Sequence, residues 1–206
     1  MENNININPE NTEKPASSGK SVLKDVLEIL ESSIITIFLL VLVFTYILHP
    51  VNVMGKSMVP TLSDGDKIFM TTISSISNGD IVVINNDKAY HLDEKGKAYS
   101  ADAGILNECI IKRVIAHGGQ TVDIDTTNGN IIVDGKVLDE PYINEITLSA
   151  DTTFTFPITI PEGYYFVMGD NRNASADSRH RNVGLISEEQ IYGEAFFRYS
   201  PEFSFI

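Results

Sequence analysis

A mainly β protein carried behind one membrane-spanning helix is the fold that this sequence predicts, on three observations. From Ser32 to Gly55 there is no Asp, Glu, Lys or Arg. Beyond residue 50 the apolar residues come in short runs of strand length, and no stretch there keeps the 3.6-residue period of an amphipathic helix. Turn signals separate those runs: Asp64-Gly65, Asn78-Gly79, Gly118-Gly119, Asn128-Gly129, Asp134-Gly135 and Pro161-Glu162-Gly163.

The elements follow in order. Residues 1–20 are rich in Asn, Glu, Ser, Thr, Pro and Gly and bury too little apolar surface to offset the entropy of ordering. Residues 1–31 are therefore expected to be a disordered or helical tail. Residues 32–50 hold the run IITIFLLVLVFTYIL and reach the roughly 20 residues that a hydrocarbon core of about 30 Å requires. A cleaved signal would end in a small-x-small site, whereas this stretch runs into His49-Pro50-Val51-Asn52, so a retained span is expected. Lys20 and Lys24 precede it and Lys56 and Lys67 follow it, which leaves the orientation open on charge alone. Residues 51–206 carry the strand-like runs, among them Ile81-Val82-Val83-Ile84, Ile110 to Ala116, Tyr164 to Met168 and Ala195 to Tyr199.

Charge narrows the function. The formal net charge is -13, and beyond residue 50 there are 12 basic and 22 acidic side chains, which argues against a nucleic-acid surface. Cys109 is the only cysteine, so no internal disulfide forms. The histidines at 49, 91, 117 and 180 show no metal-ligand spacing, and no phosphate-cradling glycine motif occurs.

Three segments carry candidate chemistry. In Gly55-Lys56-Ser57-Met58-Val59-Pro60-Thr61-Leu62 a serine sits beside a glycine-permitted turn and ahead of a proline. It is either a rigidly presented nucleophile or a turn serine bonded to its own backbone. In Ile110-Ile111-Lys112-Arg113-Val114 the period of 2 puts Lys112 on the face of Ile110 and Val114. Lys112 is either a solvated edge charge or a desolvated amine able to take a proton from a hydroxyl. The segment Gly169-Asp170-Asn171-Arg172-Asn173-Ala174-Ser175-Ala176-Asp177-Ser178-Arg179 is either a solvated loop or one held in a single shape by Asp/Arg pairs.

In this order, behind one span, the three segments resemble the type I signal peptidase family of the bacterial, single-span, Gram-positive sort. Ser57 in Gly-Lys-Ser-Met-Val-Pro-Thr matches the SMxPT motif, Lys112-Arg113 matches the motif of the base, and residues 169–179 match GDNRxxSxDSR throughout. Gly79-Asp80-Ile81-Val82 and Pro161 to Met168 are also similar to family segments.

The resemblance implies a β catalytic core with a small inserted β region at 120–160. It implies a membrane-bound serine endopeptidase that removes signal peptides from exported preproteins after a small-x-small site. By it, Ser57 is the nucleophile, Lys112 its general base, and Ser175 the residue that orients the base. Asp170, Arg172, Asp177, Arg179 and Arg113 give support, and the Ser57 backbone N–H holds the oxyanion, since Gly55 stands where some members have a serine donor. Val53, Met58, Leu62, Ile110 and Ile111 are expected to wall the substrate pocket. No cofactor or metal is implied. The implied partners are preproteins, the lipid bilayer and the secretion translocon, with residues 51–206 outside the cell membrane and the N-terminus cytoplasmic. A self-cleaving repressor-type protease shares the Ser/Lys chemistry but would need a DNA-binding head. A non-catalytic relative would lack Ser57 or Lys112.

Overall fold

The computed structural model describes residues 18–101, 108–148 and 154–206. One helix, α1 (Ser18–Tyr46), comes first. The strands β1 (Leu48–Asn52), β2 (Lys67–Thr71), β3 (Ile81–Asn86), β4 (Ala89–Leu92), β5 (Ala98–Ala101) and β6 (Glu108–His117) follow. Then come β7 (Thr121–Asp125), β8 (Asn130–Val133), β9 (Lys136–Val137), β10 (Ile158–Thr159), β11 (Tyr164–Met168), β12 (Ile186–Ser187), β13 (Ile191–Ser200) and β14 (Ser204–Phe205). The mainly β class and the apolar N-terminal helix are both as expected.

The boundaries of the span differ. Its apolar stretch is Val22–Tyr46 rather than 32–50, so α1 begins within the expected tail, and residues 1–17 lie outside the described ones. At the other end His49 and Pro50 belong to β1, paired with Met70 and Phe69 of β2. Pro50 is tolerated because β1 is an edge strand, where a missing N–H breaks no ladder. The last helical carbonyl, that of Tyr46, accepts the Thr72 hydroxyl at 2.8 Å, and the Ile47 carbonyl accepts the Thr72 N–H at 3.2 Å. Thr72 thus takes one of the carbonyls that a helix end leaves open, and the next one along the chain.

The main sheet runs β1-β2-β13-β3-β6-β11-β12, with β14 on β13, and every pairing is antiparallel. A second sheet, β10-β7-β8-β9, lies within the 120–160 stretch. Alternation along β7 and β8 turns Val122, Ile124, Ile131 and Val133 inward. There they form one cluster with Phe166 and Met168 of β11 and Ile115 and Ala116 of β6. The second sheet thus shares its core with the strand that carries Lys112.

Candidate active site

Residues 53–66 form a closed turn around Ser57. The Val53 N–H donates to the Asp66 carbonyl at 2.8 Å and the Gly65 N–H to the Val53 carbonyl at 3.0 Å. The Gly55 N–H donates to Asp64 Oδ1 at 2.7 Å. Gly55 has φ +87°, in the left-handed region that glycine adopts without cost. A Cβ added there would meet no atom within 4 Å, but a serine would carry about 1 to 2 kcal/mol of backbone strain.

Lys112 lies in the middle of β6, paired with Val82 of the neighbouring strand, and is 3% exposed. Its Nζ donates to Ser57 Oγ at 2.8 Å and to the Ile111 carbonyl at 3.0 Å. Burial pushes the amine down from its ordinary 10.5 to about 8, an effect that Asp177 and Asp170 oppose and Arg179 reinforces. An amine in its neutral form at this distance can accept a proton from a serine hydroxyl.

The Lys56 carbonyl accepts Asn171 Nδ2 at 3.0 Å and the Val59 N–H at 3.2 Å. The Lys56 carbonyl and the Ser57 N–H belong to one planar trans peptide, so fixing the first aims the second the opposite way. The Ser57 N–H itself donates to no acceptor among the described residues. The Asn171 N–H holds the Ser57 carbonyl at 3.0 Å. Asn171 thus grips both sides of the serine.

The 169–179 loop is held from within. Arg113 Nε and Nη2 donate to the two oxygens of Asp170 at 2.8 and 2.7 Å, and the Thr61 hydroxyl donates to the same carboxylate at 2.5 Å. Arg179 Nε and Nη2 donate to the two oxygens of Asp177 at 2.8 and 2.7 Å, and the Gly169 N–H donates to Asp177 Oδ2 at 3.0 Å. Arg172 donates through Nε to the Gly169 carbonyl at 3.2 Å and pairs with Glu140 through both terminal nitrogens. Burial alone would raise the Asp177 carboxyl, but Arg179 and the Gly169 N–H hold it below its ordinary value.

A family profile described as "Signal peptidase, peptidase S26" matches residues 26–200. The chain belongs to the signal peptidase family. The match covers most of the apolar helix, the Ser57 turn, Lys112 and the whole 169–179 loop. Signal peptidase I of Bacillus amyloliquefaciens is 35% identical over 178 residues, 82% of each chain. Signal peptidase I T of Bacillus subtilis is 34% identical over 201 residues, 93% of this chain and 92% of its own. Signal peptidase IB of Staphylococcus aureus is 32% identical over 196 residues, 86% of this chain and 91% of its own. The protein is a serine endopeptidase of the type I signal peptidase class, of the Gram-positive sort.

Two residues of this signal peptidase lie differently from the sequence reading. The Ser175 hydroxyl is buried and faces Asp177, whose carboxyl it helps to hold down, while the second bond of the Lys112 amine goes to the Ile111 carbonyl. Ser175 lies against Gly169, where an added Cβ would come within 2.3 Å of Ser175 Oγ and 2.5 Å of the Ser57 carbonyl oxygen. The expected pocket wall also divides. Val53, Met58 and Leu62 are buried in one cluster with half-buried Ile111 against it, while Ile110 packs on a separate cluster around Val82, Ile84 and Val114. Neighbours in a strand point to opposite faces, so Ile110 and Ile111 do not share a wall.

Four contacts at the site come from residues that the sequence reading did not single out: Asn171, Thr61, Glu140 and Tyr142. Asn171 and Thr61 each had a local signal, a place inside a matched motif; Glu140 and Tyr142 had none. Thr61, Glu140 and Tyr142 all reach the loop from distant parts of the chain.

Proposed function

We propose that the chain cleaves the signal peptides of exported preproteins through a Ser57/Lys112 dyad, cutting after a small-x-small site. The observation that carries this is the 2.8 Å bond between Lys112 Nζ and Ser57 Oγ, on an amine whose burial favours its neutral form. Ser57 Oγ attacks the scissile carbonyl as Lys112 Nζ takes its proton, and the oxyanion meets the free Ser57 N–H. The tetrahedral adduct collapses with the C–N bond breaking, and Lys112 returns the proton to the leaving amine. Water then attacks the Ser57 ester with Lys112 again as base, releasing the signal peptide and the free hydroxyl. Asn171 holds the Ser57 peptide in register throughout, and the Asp/Arg pairs hold Asn171.

The substrate enters as an extended strand, its backbone paired and its small side chains seated in shallow apolar pockets. Ile111 with the Val53, Met58 and Leu62 cluster beneath it suits that floor; Ile110 does not. The full-length protein in detergent is expected to cut a preprotein at one site, with small residues at the first and third positions before it by N-terminal sequencing of the product. An uncut preprotein, or a cut after bulky residues, overturns the reading.

α1 anchors the protein in the bilayer. Signal peptides emerge on the far side of the cell membrane, so residues 51–206 belong outside, beside the secretion translocon, with the N-terminus cytoplasmic. Protease added to intact spheroplasts is expected to degrade the domain, and its protection would invert this topology.

A further inference from the structure

Resting on the dyad reading above, we propose that Glu140 and Tyr142 are positioning residues for the cleavage step, holding the arginines that set the backbone of the nucleophile. Both lie in the segment after β9, outside the three motifs. Arg172 has a fully buried guanidinium, and its terminal nitrogens go to the Glu140 carboxylate, itself only 6% exposed. The ring of Tyr142 lies under the Arg113 guanidinium, 4.0 Å from Cζ to its centroid, and its hydroxyl donates to Glu140 Oε1 at 3.1 Å. One glutamate and one tyrosine therefore join Arg172 to Arg113.

Those two arginines lead to the nucleophile by short paths. Arg113 follows Lys112 in β6 and clamps Asp170. Arg172 holds the Gly169 carbonyl, and its own carbonyl accepts Arg179 Nη2 at 2.7 Å. Between Asp170 and Arg172 stands Asn171, whose backbone and side chain grip Ser57 and Lys56. Farther along, Asn173 Oδ1 accepts the Leu148 N–H at 3.1 Å and its Nδ2 donates to Glu145 Oε2 at 3.0 Å. The segment from Glu140 to Leu148 thus braces the loop directly at Arg172 and Asn173, just after Asn171, and reaches Asp170, just before it, through Arg113. A buried guanidinium without its carboxylate would pull the loop towards other acceptors, and a displacement of about 1 Å at the reacting groups costs on the order of 10²-fold in rate.

The test compares wild type, Tyr142→Phe, Tyr142→Leu and Glu140→Gln as full-length proteins in detergent, by kcat and KM on one preprotein. Thermal unfolding establishes which variants are folded at the assay temperature. Tyr142→Phe keeps the ring under Arg113 and is expected within about fivefold of wild type, the loss of one hydrogen bond. Tyr142→Leu and Glu140→Gln are expected to lose about 10- to 100-fold in kcat with KM unchanged. A folded Tyr142→Leu with wild-type kcat, or a loss lying wholly in KM, overturns the proposal. So does a Tyr142→Leu that fails to fold, which would make the residue a pin of the fold only. A wild type that does not cut would sink the dyad reading instead, so the two failures are told apart.

Discussion

Ser57→Ala, Lys112→Met and the double variant are expected to fall to one common floor, each losing at least about 10⁴-fold in kcat. A serine hydroxyl is a poor nucleophile until its proton is taken, and in the proposed dyad the 2.8 Å bond to Lys112 is the path by which it leaves. Removing either end of that bond removes the same step, so the second substitution adds nothing. The pH profile carries the same mechanism. With Lys112 at about 8, kcat/KM is expected to rise roughly tenfold per pH unit below that value and to level above it. Lys112→Met is also expected to unfold at a higher temperature than wild type at pH 7. The buried amine has a folded pKa below its ordinary 10.5, so its charged form opposes folding by on the order of 3 kcal/mol at low and neutral pH. That cost is relieved as pH rises from about 8 towards 10.5, and the advantage of Met shrinks over the same range. Losses that multiply in the double variant, or an acid limb below pH 7, would remove Lys112 from the role of base.

Much of this was legible in the sequence because its signals are local. The uncharged stretch, the turn dipeptides and the three motifs each lie within a few neighbouring residues, and each is enough to place a helix, a hairpin or a candidate group. Boundaries were less legible. Hydropathy does not separate an apolar helix end from an apolar strand start, so Leu48 to Pro50 read as span although α1 ends at Tyr46. Lys24 and Glu28 hid the start of α1 from a count of apolar residues, while their side chains lie 3.6 Å apart on one helical face. The Asp/Arg braces of the loop were legible as residues, but the long-range contacts that complete the site were not. Asn171 meets Lys56 across 115 positions and Thr61 meets Asp170 across 109, and no local pattern announces a contact at that range. Glu140 and Tyr142 belong to a segment whose composition is that of an ordinary loop.

Asp177→Ala is expected to lose about 3 to 5 kcal/mol of stability, a large share of what a domain of this size has. Asp177 is fully buried and accepts two bonds from the Arg179 guanidinium and one from the Gly169 N–H. Truncation leaves a guanidinium that is itself only 7% exposed without its carboxylate, which is the costly way to break a buried pair. Asp177→Ala/Arg179→Met removes both charges and is expected to recover part of the loss in a denaturant or thermal cycle. Because the folded carboxyl lies below its ordinary 3.8, its contribution is full above that pH and is lost only as pH falls through the lower folded value. The same carboxylate reaches the active amine. Asp177 holds the Lys112 pKa up while Arg179 holds it down, so folded Asp177→Ala is expected to move the acid limb of kcat/KM below about 8. The double variant removes both influences and is expected to return the limb towards the wild-type value. A single variant as stable as wild type would show the Asp177–Arg179 pair to be dispensable, and an unmoved limb would separate it from the base.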